Sequence, residues 1–469
     1  MKKIRSFAIF FNLLIATIIF FTLEVFTYRI YQNVFNASVT SFIHMLLLLL
    51  IVRTLDGEKI LTYRVRDISY SYLLGIFITQ ILMFFFYISQ MYESTAPILR
   101  AFKYSITELG ILILVTIPSI YVLTKYFYSS KLIEKTILVI GENTDKKQVA
   151  EIMLKLKEYS QRYDIIKVIK ETDALKIIED KKENDKIQLM LIGVKDEEYK
   201  KIMRKAYEER VDIILVPQIE NIIGKCNKEV FLIDVPFYEY NFQEDSKLQK
   251  VAKRIFELFI SIPILILASP IMLITAIIIK MQDGGPVFYK QERLTLNGKK
   301  FEVMKFRSMI VNAEAVGGAQ FSSKNDKRIT PFGNFIRKTR IDELPQLLNI
   351  IKGDLAIVGP RPERQEIIDQ KIKEVPDFNY RLKVKAGLTG LAQVEGKYNT
   401  NLSDKLKLDL IYIRERNFIM DLKIIIKTIK ILFMKEATEG VGTEEEEQQK
   451  IQDIINSIDK SINENKDIK

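Results

Sequence analysis

Apolar residues crowd the first 130 positions of the chain and thin out after them. Runs at 1–26, 34–52, 68–90 and 106–128 each approach the roughly 20 residues an α-helix needs to cross a bilayer. Residues 1–130 are therefore expected to form four transmembrane helices. The first run, MKKIRSFAIFFNLLIATIIFF, has the charged-then-apolar order of a signal peptide. It continues to about Phe26 without a small-x-small cleavage site, so it reads as a retained span. The second is the most diluted, by Asn36, Ser38, Thr40, Ser41 and His44.

Between 131 and 245 the pattern changes to short β-branched runs separated by amphipathic stretches. TILVIG (136–141) precedes a helix near 145–158, and YDIIKVI, QLMLIGV, DIILVP and VFLIDVP follow. This alternation predicts a small Rossmann-like α/β domain with a parallel sheet. A dinucleotide site needs GxGxxG after the first strand, whereas the turn here is GENTDKK, with Gly141 alone. A structural or regulatory domain that binds no dinucleotide is expected.

A fifth apolar run, IFELFISIPILILASPIMLITAIII (255–279), is interrupted by Pro263 and by the Ser269-Pro270 pair. By pattern it is either a proline-kinked span or a helix that enters one leaflet, breaks at Ser269-Pro270 and returns. Beyond it, VFYKQ and FEVMKF alternate like paired strands across an Asn297-Gly298 turn, which delivers Lys305 and Arg307 together. Residues 339–349, TRIDELPQLLN, predict a helix with Pro345 in its first turn and Leu344, Leu347, Leu348 and Ile351 on its buried side. MDLKIIIKTIKILFMK (420–435) reads as a basic amphipathic helix for an anionic membrane surface. After Glu436 the chain turns acidic and polar. Ile451, Ile454, Ile455, Ile458 and Ile462 recur there at helical spacing, but a disordered tail is expected rather than a self-associating helix.

Charge adds direction. Lys2, Lys3 and Arg5 precede the first span, Arg53, Lys59, Arg64 and Arg66 separate the second from the third, and Lys131 and Lys135 follow the fourth. The other loops carry only Arg29 and the pair Arg100 and Lys103. The positive-inside rule puts the N-terminus and everything after the fourth span in the cytoplasm. Lys250, Lys253 and Arg254 before the fifth run, and Lys280, Lys290 and Arg293 after it, make both of its ends look cytoplasmic. A re-entrant helix satisfies that, and a single crossing does not.

Composition removes several chemistries. The 469 residues include one cysteine, Cys226, which excludes an intramolecular disulfide and a cysteine-built zinc site. The single histidine, His44, lies in an apolar run, so histidine-based acid–base catalysis, Ser-His-Asp triads and histidine-ligated metals drop out together. The net charge of +11 fits nucleic acid, an anionic membrane or phosphorylated substrates. Arg328, Arg337, Arg340, Arg361, Arg364 and Lys385 recur near glycine- and proline-bearing turns, as suits a multiply phosphorylated ligand. Among them Asp342 and Glu343 stand side by side. They are either a helix cap with its first-turn acid or two anions of different duty. In the second case one attacks a phosphorus and the other holds Mg²⁺ with diphosphate oxygens.

The block from about Lys253 to Lys435 resembles the bacterial sugar transferases, the polyprenyl-phosphate hexose-1-phosphate or monotopic phosphoglycosyl transferases. The Ser269-Pro270 break, GPVFYKQER, KFRSM, RKTRIDELPQLLNIIKGD, VGPRPE and KAGLTGLAQV carry the likeness. Four spans and a degenerate Rossmann-like domain in front are similar to the long subgroup that primes exopolysaccharide and O-antigen synthesis. The resemblance implies a bacterial inner-membrane, multi-pass enzyme with a cytoplasmic catalytic domain. It implies five regions: four spans (1–130), a Rossmann-like domain (131–245), a re-entrant helix (250–282), a compact α/β catalytic domain (283–435) and an acidic tail (436–469).

It also implies a ping-pong reaction. Asp342 matches the nucleophile that takes a sugar-1-phosphate from a UDP-sugar, releasing UMP, before undecaprenyl phosphate accepts it. Glu343 matches the Mg²⁺ ligand, and Lys305, Arg307, Arg337 and Arg361 match positions that hold phosphates and nucleotide. Arg337 and Arg361 are expected to keep Asp342 ionised at neutral pH. The partners implied are UDP-sugar, undecaprenyl phosphate and membrane lipids, with no nucleic acid and with room for a homo-oligomer.

Two positions depart from the family pattern: Gly284-Gly285-Pro286 stands where many members have Pro-Gly-Pro, and Leu391 where many have tryptophan. A nucleotide-sugar epimerase or dehydratase would need the missing glycine fingerprint. A non-catalytic membrane scaffold or regulator of polysaccharide assembly is the remaining rival, and intact Asp342, Glu343, Arg337 and Arg361 weigh against it.

Overall fold

The computed structural model describes residues 34–59, 63–90, 97–129, 134–159, 162–180, 187–225, 228–232, 235–240, 245–311, 313, 326, 328–396, 400–432 and 444–464. They fall into two compact units, Met1–Gln218 with Val441–Lys469, and Ile219–Gly440. The first expected span and Cys226 lie outside the described residues.

In the first unit α1 (Val34–Thr54), α2 (Val65–Gln90) and α3 (Pro97–Ser129) pack through Leu48, Val52, Tyr72, Ile76, Met83, Leu112 and Ile120. Gly75 lets the first two helices approach, because a Cβ there would lie 2.8 Å from the Val52 side chain. Among the described residues of this unit, Val65–Phe86 and Ser105–Val122 are long and apolar enough to cross a membrane, and Phe42–Thr54 is a shorter apolar stretch. Phe77, Leu82, Phe85, Leu114 and Val122 are exposed, as a lipid-facing surface requires. Inside, Gln80 donates a 3.5 Å hydrogen bond to Glu108, a polar pairing between α2 and α3.

The same unit holds a parallel sheet of β1 (Glu134–Ile140), β2 (Tyr163–Lys170), β3 (Ile187–Ile192) and β4 (Asp212–Val216), in the order β2-β1-β3-β4. Side chains alternate across it, as the strand period demands. Ile137, Val139, Leu189 and Leu191 face α5 (Ala174–Glu179) and α6 (Asp196–Glu208). Leu138, Ile140, Met190 and Ile192 face α4 (Lys146–Tyr159) on the other side.

That second face also receives the C-terminal helix Glu444–Glu464, which corrects the expectation of a disordered tail. Ile451 and Ile458 are buried there, with Ile454, Ile455 and Ile462 packed beside them. The Ser461 hydroxyl meets both the N–H and the carbonyl of Val168 on the edge strand β2, at 3.3 and 3.1 Å. Lys146–Asp459 (2.5 Å) and Lys450–Glu158 (3.1 Å) complete the seam. The acidic composition concealed an apolar stripe whose partner surface lies almost three hundred residues earlier in the chain.

The second unit opens with α7 (Ile219–Ile223) and the antiparallel hairpin β5 (Lys228–Leu232) and β6 (Val235–Glu239). Then comes α8 (Lys247–Asp283), started by a Ser246–Gln249 capping box and closed by Gly284 at φ 69°. The expected break at Ser269-Pro270 is not an interruption, because the helix runs on through both prolines. Pro270 has no N–H to give the carbonyl of Ile266, and the Ser269 hydroxyl donates to that carbonyl instead, at 2.7 Å. Around this point the apolar side chains are bare: Ile266 is 65% and Leu267 78% exposed.

Near both ends α8 is held by one and the same domain. Lys253 donates to the Tyr412 hydroxyl (2.9 Å) and to Asp421 (2.8 Å), and Arg254 to the carbonyls of Ile350 and Ile351. At the far end Ile279 packs against Phe306 and Ile336, and Asp283 accepts two bonds from Arg307. The domain's core joins Phe301, Val303, Leu347, Ile350, Leu355, Val358, Tyr412 and Ile424.

Ile458 is fully buried, so Ile458→Ala should cost the first unit about 2–4 kcal/mol. Amide exchange of peptides from α4 and β2 should quicken with it, and unchanged exchange would mean that the tail helix is not part of this core.

Candidate active site

A hairpin places the first cation. β7 (Phe288–Leu294) and β8 (Lys300–Phe306) pair antiparallel, with Tyr289 opposite Lys305, and Asn297 (φ 56°) and Gly298 (φ 74°) make the turn. The expected pairing is present. Lys305 points at the acidic pair, and its ammonium donates a 2.8 Å hydrogen bond to Oε1 of Glu343. Arg307, two residues on, does not join it. Its guanidinium is spent on Asp283 (2.5 and 2.6 Å) and the Pro286 carbonyl (2.7 Å), so it clamps the end of α8 to β8.

A second loop places the other cation. β9 (Ala356–Val358) and β10 (Gly387–Thr389) form a short parallel pair that brings VGPRPE against KAGLTG, backbone on backbone. A Cβ on Gly387 would lie 2.1 Å from the Gly359 nitrogen, so neither loop tolerates a side chain there. Arg361 emerges from this crossing and meets the same oxygen, Oε1 of Glu343, at 3.3 Å. The loop is fixed beneath by Glu363, which pairs with Lys371 (3.1 Å), Arg293 (3.5 Å) and Arg381 (3.6 Å). Arg293 also donates to the Pro362 carbonyl at 3.2 Å and to Gln291, whose amide donates to the Tyr289 hydroxyl. Sequence reading took Arg293 only as a flanking charge and gave Tyr289 and Gln291 no role, although the three share one face of the strand whose Tyr289 lies opposite Lys305.

The acidic pair does not sit in a helix's first turn. After α9 (Pro331–Lys338), Arg340 adopts a left-handed backbone (φ 60°), and Ile341–Glu343 form a tight 3₁₀ turn. An arginine held there costs about 1–2 kcal/mol, a strain of the kind found at functional sites. Pro345 is then the cap of α10 (Gln346–Lys352), ended by Gly353 at φ 97°. Of the expected buried side Leu347 is buried, whereas Leu348 is 37% exposed and Ile350 is buried instead. On a 3₁₀ turn neighbouring side chains diverge by about 120°, so the two carboxylates face different surroundings.

Asp342 is 9% exposed, and its Oδ1 has no hydrogen-bond partner. Removal from water and the adjacent Glu343 push its carboxyl up from 3.8 to about 6, against the pull of Lys305, Arg337 and Arg340. Asp342 is therefore ionised at neutral pH, as expected, but burial outweighs the cations and its carboxyl lies above, not below, the ordinary value. Burial would raise Glu343 as well, but Lys305 and Arg361 outweigh it and hold Glu343 well below the usual carboxylate range. Ser269 and Pro270 lie in the middle of α8 and carry none of this chemistry.

A raised acid pKa favours the protonated form of the folded state, so the stabilisation is full below about pH 4 and lost as pH rises through 6. At neutral pH the wild type therefore bears an ionised, poorly solvated Asp342. Asp342→Asn should raise the thermal midpoint at about pH 7.5, by the equivalent of roughly 1–3 kcal/mol, and far less at about pH 5. The same gain at both pH values, or a loss at the higher one, would refute this electrostatic picture.

The family model described as bacterial sugar transferase matches residues 248–435. A UDP-N-acetylgalactosamine-undecaprenyl-phosphate N-acetylgalactosaminephosphotransferase of Aeromonas hydrophila is 40% identical over 190 residues, which cover 40% of this chain and 45% of that protein. The undecaprenyl-phosphate galactose phosphotransferase of Salmonella typhimurium is 38% identical over 198 residues, 39% of this chain and 41% of the relative. The chain thus matches less than half the length of these two. The uncharacterized sugar transferase EpsL of Bacillus subtilis is 38% identical over 186 residues, and 89% of its length is covered. With its acidic pair, both cation-bearing segments and all but the first residue of α8 inside the matched segment, the chain belongs to the bacterial sugar transferase family.

Proposed function

We propose that this protein transfers a sugar-1-phosphate from a UDP-sugar to undecaprenyl phosphate, through a phospho-sugar ester on Asp342. The observation that carries the reading is the buried Asp342 carboxylate with an oxygen free of hydrogen bonds, beside a Glu343 already neutralised by two cations. An anion so placed is both nucleophilic and surrounded by charge that suits a diphosphate. Asp342 attacks the phosphorus that bears the sugar. The bond from that phosphorus to the bridging oxygen breaks, and UMP leaves with the oxygen and its electron pair. A phosphate oxygen of the lipid then attacks the same phosphorus, the bond to Asp342 breaks, and a sugar-diphospho-lipid results. Lys305, Arg361, Arg337 and Arg340 offset the charge that gathers as the anhydride opens.

Mg²⁺ suits the donors present. Lys305 and Arg361 both meet Oε1 of Glu343, so Oε2 is the oxygen that would hold the ion together with substrate phosphates. When bound, Mg²⁺ neutralises diphosphate charge. Among the described residues no group of three or more acidic, histidine or cysteine side chains offers a complete cage, which suits an ion shared with substrate.

The reaction is placed at the cytoplasmic face of the bacterial inner membrane, where it primes exopolysaccharide or O-antigen synthesis. Two features support this. A helix with both ends held by one domain cannot cross a bilayer with that domain on one side, which favours α8 staying on one side of the membrane over a crossing. In addition, α14 (Phe418–Leu432), which follows α11 (Gln365–Glu374), α12 (Leu391–Val394) and α13 (Leu402–Glu415), exposes Phe418, Ile419, Leu422, Ile429 and Leu432 among lysines, which supports contact with a membrane surface and leaves the priming role to the family resemblance.

The test is UMP release by the full-length protein in lipid, with Mg²⁺, undecaprenyl phosphate and a panel of UDP-sugars. One donor should release UMP, with a rate that declines as pH falls through about 6. Asp342→Asn should lower the rate by about a thousandfold or more. Near-normal release by that variant would refute the covalent step, and silence with every donor would favour a scaffold.

A further inference from the structure

In a parallel sheet of order β2-β1-β3-β4, the chain changes side between β1 and β3, and ligands of such sheets bind at the carboxyl ends of those two strands. Here that crevice is shut by the protein's own groups. Glu171, in the turn after β2, is 1% exposed, and its carboxylate accepts two backbone hydrogen bonds. One comes from the Glu142 N–H in the loop after β1, at 3.2 Å to Oε1. The other comes from the Lys195 N–H, which caps the start of α6 after β3, at 2.9 Å to Oε2. Backbone N–H groups in these two loops are the donors with which an α/β crevice cradles a phosphate.

The two loops after β1 and β3 also run in close backbone contact. A Cβ on Gly141 would lie 1.8 Å from the Gly193 carbonyl oxygen, and one on Gly193 would lie 2.2 Å from Oγ1 of Thr144. Neither glycine could be replaced without moving these loops apart. The side chains of Glu142 and Lys195 pair across the same mouth at 2.5 Å.

We propose that Glu171 is a built-in anion. Its carboxylate fills the phosphate subsite of the middle domain, so that the domain folds around its own ligand. Two carboxylate oxygens bridging two loops are the chemical equivalent of a phosphate bound to the same amides. The site exists, its chemical class is the phosphate-type oxyanion, and it is occupied permanently from within.

Hydrogen exchange of the full-length protein, followed in peptides that contain Glu142 and Lys195, tests this with inorganic phosphate as the probe. In the wild type both amides should exchange slowly, and tens of millimolar phosphate should change nothing. In Glu171→Ala exchange at both should quicken by about tenfold or more, as loss of a charge-assisted hydrogen bond implies, and phosphate should restore protection where chloride of equal ionic strength does not. Glu171→Gln keeps one accepting oxygen and the side chain's volume. It should lose protection at one of the two amides, and it serves if the alanine variant does not fold. Protection unaffected by either substitution, protection lost but not regained with phosphate, or phosphate protection in the wild type would each overturn the proposal.

Discussion

One ion cluster organises the catalytic unit: the Glu343 carboxylate held by Lys305 from β8 and by Arg361 from the β9–β10 crossing. Three segments far apart in sequence converge on it. Because Glu343 carries its charge into a partly buried place, either cation alone would leave an imbalance, and removing one should disturb the other's loop. The benefit falls on the neighbour. With Glu343 neutralised, Asp342 can stay reactive and sparsely hydrogen-bonded without two like charges repelling each other unchecked. The left-handed Arg340 and the 3₁₀ turn are the backbone expression of the same requirement, since a regular helix would have turned the pair differently.

The membrane helix is tied to that cluster rather than merely attached beside it. Arg254 donates to the last carbonyls of α10, the helix that leads directly from Asp342 and Glu343. At its other end Asp283 grips Arg307, which lies just past the end of the strand that carries Lys305. Both ends of α8 are thus joined to the two sides of the acidic pair through short, charged contacts. On the proposed reading a lipid phosphate acceptor and a soluble nucleotide sugar meet beside this helix, and the anchoring would keep the site's shape there.

Much of this was legible in the residues. The Asn297-Gly298 turn and its flanking alternation locate Lys305, and the absence of histidine outside the apolar runs narrows the chemistry to carboxylates and cations. What was not legible depends on contacts between distant segments. Arg307 looks like a phosphate ligand until Asp283 is seen to hold it. The raised carboxyl of Asp342 comes from burial, which no local pattern reports. The tail's isoleucines are a stripe without a visible partner until the sheet of the first unit supplies one. Glu171 is an ordinary charged residue in sequence and becomes intelligible only when two loops present their amides to it.

Whether Asp342 forms the covalent bond is decided most directly by mass. The full-length protein is exposed briefly to its UDP-sugar without lipid acceptor, quenched in acid, digested and analysed for adducts. The account predicts a phospho-sugar increment on the peptide that contains Asp342, discharged when undecaprenyl phosphate is added before the quench. UMP release without any adduct on that peptide, or an adduct on a different side chain, would contradict it.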